Sequence, residues 1–172
     1  SLISAATTHV CVIINTVNVS GGLKCWGGNN NGQLGNGTTT SSSRPVTVMD
    51  SQANPTTPLS GVVSVLALEN NTCALMNTSK VKCWGYAVNH RLGDNEANFA
   101  PSGISQYPVF VKSDGTWAND LTGAVSLAGT TYGACAVLAS GNVNCWGENN
   151  GHQDWANAPF LVQQGICNYG NL

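Results

Sequence analysis

The stretch that decides the fold is KCWGGNNNGQLGNG, residues 24–37. Glycine and asparagine dominate it, and its only large side chain is Trp26. The Cys-Trp-Gly core recurs at residues 83–85 and 145–147, and a similar polar stretch follows it each time. The segment is therefore one copy of an internal repeat and not a low-complexity linker.

A second set of cysteines precedes the Cys-Trp-Gly motifs at constant spacing. Cys73 lies 62 residues after Cys11, and Cys135 lies 62 residues after Cys73. Downstream of each motif the chain reaches a proline followed by apolar residues, at 45–48, 108–111 and 159–162. The spacing predicts a single repeat domain over 1–172, with three units at approximately 1–58, 59–120 and 121–172.

Each unit reads as a set of short strands. Apolar and polar residues alternate in Val63-Ser64-Val65, and Gly, Pro, Thr and Asn interrupt every candidate helix. Units of about four short strands at this period are typical of propeller blades. We predict an all-β fold of propeller-like blades of short antiparallel strands, with three repeats that form a partial propeller or an open arc.

The spacing of the cysteines predicts disulfides across hairpins. Directly opposed residues of an antiparallel hairpin have a constant index sum, so a Cys73–Cys83 pair centres its turn on Thr78, a turn-forming region. Opposed Cα atoms are about 4.5–5.5 Å apart, within the reach of a disulfide. The predicted bridges, one per unit, are Cys11–Cys25, Cys73–Cys83 and Cys135–Cys145.

The oxidation state of the cysteines indicates the cellular compartment of the protein. Disulfides imply an oxidising environment, which places the protein outside the cell, on the cell surface or in a periplasm. Six reduced cysteines in a cytosolic repeat are the alternative. A zinc site is disfavoured because structural zinc ligands usually come in close pairs such as Cys-x2-Cys, which the chain lacks. The seventh cysteine, Cys167, has no repeat partner and is either unpaired or bridged to another chain.

Charge and hydropathy exclude two classes of partner. Only 8% of the 172 residues are charged, against about 25% in an average domain, and the formal net charge is −2. The six basic residues are scattered, so no basic patch for nucleic acid is present. No apolar run approaches the roughly 18 residues of a membrane span.

The repeat resembles the regulator-of-chromosome-condensation repeat family, in its cysteine-paired bacterial or extracellular form. Units of that family carry a His-x-Cys strand, a Cys-Trp-Gly strand and an Asn-x-x-Gly-Gln-Leu-Gly turn. The first unit keeps His9, Cys11, Asn29 and Gly32-Gln33-Leu34-Gly35. The second unit has His90-Arg91 in place of Gly-Gln, and the third has His152-Gln153-Asp154 in place of Gln-Leu-Gly.

The resemblance implies a β-propeller, usually of seven blades. Known closed propellers have about four to eight blades, so three units are too few to close a ring. Three units therefore leave three alternatives, namely a piece of a longer protein, assembly between copies, or an open arc. The motif tryptophans are expected to fill the space between adjacent blades, where a large flat side chain suits sheet packing. They are Trp26, Trp84 and Trp146.

The polar turn of the repeat is predicted to be structural. Its glycines and asparagines permit turns with positive φ. A phosphate-binding loop would need a following helix, and the TTTSSSRPV sequence offers none. The eight acidic residues are scattered and form no catalytic pair or metal set. We therefore predict a protein that is not an enzyme and has no cofactor or metal.

Two functions remain. The first is a secreted or cell-surface interaction module that binds a protein or glycan through its blade loops. Residues that break the repeat pattern are the candidate contacts, since aromatic side chains and arginine often anchor interfaces. They are Tyr86, His90, Arg91, Trp117, Tyr132, His152 and Trp155. The alternative for the two tryptophans is a position in the core. The second function is a structural subunit of an extracellular fibre, pilus decoration or coat, a homo-oligomer formed by incomplete propeller units.

Overall fold

The computed structural model describes residues 2–15, 20–94, 102–113 and 118–147, together with the backbone of 160–162. Within these ranges the regular structure consists of short strands and one 3-10 turn. The strands form three four-stranded antiparallel sheets and one two-stranded hairpin. We call the four-stranded sheets the first, second and third blades.

Each blade is a meander in which neighbouring strands follow one another along the chain. The first blade contains β1 (Ile3–Ala5), β2 (His9–Ile14), β3 (Gly22–Gly27) and β4 (Ser42–Thr47). A hairpin of β5 (Met49–Ser51) and β6 (Asn54–Pro58) connects it to the second blade. The second blade contains β7 (Val62–Ala67), β8 (Asn71–Met76), β9 (Val81–Tyr86) and β10 (Ile104–Phe110). The third contains β11 (Ala124–Gly129), β12 (Gly133–Leu138), β13 (Val143–Gly147) and β14 (Phe160–Val162).

These sheets confirm the prediction of an all-β protein with three propeller-like blades of four short strands. The β5–β6 hairpin was not predicted. Its second strand, Asn-Pro-Thr-Thr-Pro, is exposed along its whole length. In the matching connection after the second blade, the described residues Lys112 and Asp120 form an isolated bridge. The unit boundaries near residues 58 and 120 stay a prediction.

The middle two strands of each blade are joined by a disulfide. Cys11 lies directly opposite Cys25 in the β2–β3 register, and the other two blades repeat the arrangement. The structure bonds the same three pairs that the index sums gave, with Cα–Cα distances of 4.1, 4.1 and 4.0 Å. Cys167 lies outside the described residues.

The core lies between blades. One apolar cluster joins the first blade to the second, and another joins the second to the third. Consequently β8 is buried along its whole length, whereas β2 alternates buried and half-buried residues. In the part of the chain that the structure describes, neighbouring blades therefore cover both faces of the second blade and one face of the first.

A motif tryptophan lies at each boundary between blades. Trp84 is 0% exposed, and its Nε1 donates to the carbonyl of Gln33 at 2.9 Å. Gly35 has a φ of +63°, and a Cβ at this position would lie 2.6 Å from Trp84 Nε1. Only glycine fits here, since both the backbone and the tryptophan ring exclude a side chain.

The third blade repeats this packing. A Cβ on Gly93 would lie 2.9 Å from Cγ of Trp146, which is also buried. Trp146 Nε1, in contrast, has no hydrogen-bond partner among the described residues. We call the glycine and the turn around it the tryptophan seat of the preceding blade.

Trp26 differs from the other two motif tryptophans. It occupies the same register position in the first blade, opposite Val10, but it is only half-buried. Trp84 and Trp146 therefore lie between blades, whereas the role of Trp26 between blades stays a prediction. The physical reason is that no blade among the described residues precedes the first one.

The three disulfides are expected to differ in their reactivity toward reductants. The sulfurs of the first two bridges belong to fully buried residues, whereas Cys135 and Cys145 are half-buried on the outer face of the third blade. Because exposed disulfides are the labile ones, limited reduction of the native protein should cleave Cys135–Cys145 first. Alkylation with peptide mapping measures the order. Denaturant is the control, since it should remove the difference, and equal rates in the native protein would contradict the packing.

Candidate interaction surface

The strand directions divide the molecule into two ends. Strands β2, β8 and β12 all begin at one end, where β3, β9 and β13 finish. The long turns that follow Cys-Trp-Gly emerge here, and we call it the turn end. The β8–β9 hairpin and the connections between blades lie at the opposite end.

At the turn end one arginine lies between two tyrosines. The guanidinium carbon of Arg91 is 5.0 Å from the centre of the Tyr86 ring and 4.5 Å from that of the Tyr132 ring. Tyr86 ends β9 in the second blade, and Tyr132 immediately precedes β12 in the third. Both tyrosines are half-buried, and Arg91 is 8% exposed. The cation–π pairs thus connect two blades at the turn end, with the arginine buried beneath two half-buried rings.

A strained turn holds this arginine. Asn89 and His90 have φ values of 60° and 54°, in the left-handed region that non-glycine residues rarely adopt. In the first unit the position of His90 is Gly32, with a φ of +76°. At this one position the second unit therefore keeps the left-handed backbone of the first unit, but it has a histidine where glycine fits without strain. Strain of this kind costs on the order of 1 kcal/mol and is concentrated at functional sites.

The same turn in the first unit contains a polar network that involves Asn29, Asn31 and Gln33. The Asn29 side chain donates to the carbonyls of Thr38 and Thr40 at 2.9 and 3.0 Å and accepts from the Leu34 amide at 2.9 Å. Gln33 Oε1 accepts from the Asn31 amide at 2.9 Å. These side chains stabilise the backbone of the turn, and the Gln33 carbonyl in addition accepts hydrogen bonds from Thr72 and Trp84 of the second blade.

His9 connects the first two blades beneath this turn. Its Nε2 lies 2.7 Å from Thr72 Oγ1, and that hydroxyl donates to the Gln33 carbonyl at 2.8 Å. Since the hydroxyl proton is directed at the carbonyl, Nε2 carries the proton of a neutral imidazole. Burial lowers the pKa of His9 to about 4, because the protonated ring would lose its hydration. His9 is a structural residue at neutral pH.

Lysines gather at the opposite end. Lys80 and Lys112 contact Asp120 at 3.0 and 2.8 Å, and Lys82 pairs with Asp50 of the β5–β6 hairpin at 2.7 Å. Burial alone would raise the pKa of Asp120, but hydrogen bonds from Lys112 and Lys80 outweigh it and hold that pKa below its usual value. Lys80 and Lys82 also lie over the Phe110 ring. These contacts tie the connections between blades to the second blade.

Comparison with known protein families gives a match to one part of the chain. The model of the regulator of chromosome condensation (RCC1) repeat matches residues 20–75, which run from the first blade into the second. This stretch is thus similar to an RCC1 repeat. The resemblance that the Cys-Trp-Gly motifs indicated is thereby confirmed. A comparison with curated protein sequences gives no match.

Solved structures agree with the RCC1-type fold. Human WBSCR16 superposes with a TM-score of 0.66 at 15% identity, over 93% of this chain and 37% of that one. Yeast RCC1 (Prp20), in its complex with Kap60, gives 0.60 at 17% identity, over 86% and 29%. A second structure of Prp20p, from Saccharomyces cerevisiae, gives 0.58 at 18% identity, over 86% and 30%. The chain thus spans about a third of the length of these proteins, and the likeness concerns the fold.

The RCC1-type frame brings four of the predicted contact residues to one place. Tyr86, Arg91 and Tyr132 form the cation–π cluster, and His90 lies on the same turn. The other three predicted contacts, Trp117, His152 and Trp155, lie outside the described residues. We call the four residues together the Arg91 patch.

Sequence reasoning missed the lysine group. Lys80 and Lys82 alternate with Val81, and this pattern alone indicates two side chains on one face of a strand. Their convergence with Lys112 on Asp120 and Asp50 depends on contacts between blades, which the pattern does not show. In the part of the chain that the structure describes, no group of three or more His, Cys, Asp or Glu side chains could hold a metal. In the same part, no helix is long and apolar enough to cross a membrane.

Proposed function

We propose that this RCC1-repeat chain is an interaction module that binds a protein partner at the turn end, with the Arg91 patch as its anchor. The observation that carries the proposal is the position of Arg91 between Tyr86 and Tyr132 across a blade boundary. All three residues depart from the repeat pattern, so the repeat itself does not require them. Arginine and tyrosine are also the residue types enriched at interface hot spots.

The geometry suits binding because the anchor is held in advance. A free arginine loses much rotamer freedom when it is fixed at an interface, whereas two rings already restrict Arg91. The strained backbone at Asn89 and His90 also lowers the stability of the native fold at this turn. Both features support a role in recognition rather than in folding.

The structures that share the fold support a protein partner over a glycan. The yeast protein Prp20 is bound to Kap60 in one structure, and another is described with its binding properties toward Gsp1p and histones. We propose the same general role here, binding and not catalysis, without the same partners. The disulfides support a secreted or cell-surface location, since three such bridges persist best in an oxidising compartment.

The test is capture of the partner by matched arginine variants. The full chain is immobilised with its disulfides intact and exposed to extracellular proteins of its source, and bound proteins are quantified for wild type, Arg91→Ala and Arg44→Ala. Arg44 lies exposed on β4 and is the control. A hot-spot arginine is worth about 2 kcal/mol or more, so capture by Arg91→Ala should fall by about 30-fold while Arg44→Ala matches wild type. Equal capture by all three would contradict the proposal.

Substitution of His90 by glycine separates binding from stability. Glycine adopts the left-handed conformation without strain, so the free energy of unfolding should rise by about 0.5–1 kcal/mol. Binding of the captured partner should weaken, because the imidazole is lost from the Arg91 patch. Denaturant unfolding and a binding titration measure the two effects. Loss of stability on this substitution would show instead that His90 serves the fold.

The second candidate, a structural subunit of an extracellular assembly, has one observation in its favour. The outer face of the first blade is apolar and uncovered by any described blade, and Ile3 on it is 57% exposed.

A further inference from the structure

Four Asn-x-Ser/Thr sequences, the acceptor motif for N-linked glycans, occur in the chain, at Asn18, Asn36, Asn70 and Asn77. Asparagine, serine and threonine are so frequent here that chance gives about this number, and the motif alone therefore assigns no site. Asn18 lies outside the described residues. The other three asparagines differ in what their side chains do in the fold.

The Asn36 side chain belongs to the polar turn of the first unit. Its Oδ1 accepts from the amide and the hydroxyl of Thr38 at 3.3 and 2.9 Å, and from Nδ2 of Asn29 at 3.3 Å. In register with the Cys-Trp-Gly motifs, the second unit has Asp94 at this position, and a carboxylate offers the same kind of acceptor oxygen. The structure of the turn therefore accounts for Asn36 without any modification.

Asn70 belongs to the boundary between the first two blades. Its Oδ1 accepts from Nδ2 of Asn31, in the turn of the first unit, at 3.2 Å. The hydroxyl of its motif is that of Thr72, which is fully buried and donates to the Gln33 carbonyl at 2.8 Å. Acceptor motifs for N-linked glycans belong to surface loops, whereas this one is built into the packing of two blades.

Asn77 differs from both, because the fold uses its backbone and not its side chain. It lies at the tip of the β8–β9 hairpin, where Asn77 and Thr78 are exposed. Its amide N–H donates to the Gly61 carbonyl at 2.7 Å. In the third blade the equivalent residue is Ala139, also exposed, and its N–H donates to the Gly123 carbonyl at 2.8 Å. Since alanine suffices for this hairpin, its structure does not require the carboxamide of Asn77.

We propose that Asn77 is an N-glycosylation site. In the reaction, Nδ2 of Asn77 forms a bond to the anomeric carbon of a sugar, the bond from that carbon to a lipid-linked diphosphate breaks, and the transferase takes up one amide proton. The site rests on the proposed secreted or cell-surface location, since N-linked glycans are carried by secreted proteins.

The position of Asn77 gives the glycan a definite relation to the candidate interaction surface. The β8–β9 hairpin lies at the end of the molecule opposite to the turn end. A glycan on its tip therefore covers the end where the lysines gather and leaves the Arg91 patch open to a partner. Capture of that partner should be the same for glycosylated and unglycosylated protein.

The test is to map the glycans on the full chain, produced behind a secretory leader in cultured eukaryotic cells whose glycans remain of the high-mannose type. Secreted and cell-retained protein are both treated with an endoglycosidase that leaves the first sugar on the asparagine, and mass spectrometry locates this sugar. We expect it on Asn77, with Asn36 and Asn70 unmodified. Asn77→Ala, which copies the third blade, should lose the added mass and remain folded by far-UV circular dichroism.

Ser79→Gly is the matched control, because it keeps Asn77 and removes the hydroxyl of the motif. Ser79 has a φ of 59°, a conformation that glycine adopts without strain, so the variant should fold and yet lose the glycan. A chain that carries no sugar on Asn77, or the same occupancy at all three asparagines, would overturn the proposal. The leader supplies the secretory route and Arg91→Ala is measured separately, so failure here leaves the proposed function standing.

Discussion

Replacing Trp84 by alanine is expected to lower the free energy of unfolding by about 3–5 kcal/mol, the usual range for a large aromatic residue truncated in a core. Trp84 is completely buried between the first two blades, and its indole N–H is bonded to the Gln33 carbonyl. The substitution leaves a cavity at the blade boundary, where the backbones of two sheets cannot collapse onto each other. Equilibrium unfolding in urea with the disulfides intact measures the loss.

Trp26→Ala is the matched control, because it removes the same side chain from the same position of the repeat. Trp26 is half-buried on the outer face of the first blade, so we expect a loss below about 1 kcal/mol. A difference of several-fold between the two variants would show that burial by the preceding blade, and not the motif itself, sets the contribution of the tryptophan. Equal losses would contradict the described packing.

The second large effect is a loss of stability in mild acid that originates at His9. Burial lowers its pKa in the folded protein to about 4, against 6.5 for the free side chain. As the pH falls, the unfolded chain binds the proton first, so the contribution of His9 is complete above about pH 6.5 and declines down to about pH 4. The shift corresponds to roughly 3 kcal/mol at most.

His9→Asn isolates the contribution of His9 to the pH dependence of stability. Asparagine suits the position because the second blade has Asn71 at the equivalent place. The difference in free energy of unfolding between wild type and variant should shrink between pH 6.5 and pH 4, since only the wild type loses stability there through this position. Carboxylates such as Asp120 titrate in both proteins and cancel in the difference. A constant difference across this range would show that His9 is not buried as a neutral ring.

Local pairing explains why much of the fold could be predicted from the sequence. The disulfide pairs lie within hairpins, 10 or 14 residues apart, so an index sum fixes both the strand register and the turn. Because the units repeat every 62 residues, the same hairpin is then predicted in the next unit. The β5–β6 hairpin escaped prediction because two prolines and an exposed polar strand resemble a loop.

The candidate site could be predicted only in part. Tyr86, Arg91 and Tyr132 were each recognisable as departures from the repeat, but Tyr132 is 41 residues beyond Arg91 in the chain. Their contact depends on how one blade packs on the next, which no local pattern contains. For the same reason the burial of each motif tryptophan could not be predicted: Trp84 is buried by the first blade, whereas no blade among the described residues lies against Trp26.

Hydroxyl-radical footprinting of the native, disulfide-intact protein tests the stacked arrangement of the blades most directly. Mass spectrometry of the peptides reports the oxidation rates of Trp26, Trp84 and Trp146 in one sample. The structure predicts rapid oxidation of Trp26 and strong protection of Trp84 and Trp146, with the protection lost in denaturant. Comparable rates for Trp26 and Trp84 in the native protein would contradict the account, because Trp84 would then be no better covered by a preceding blade than Trp26.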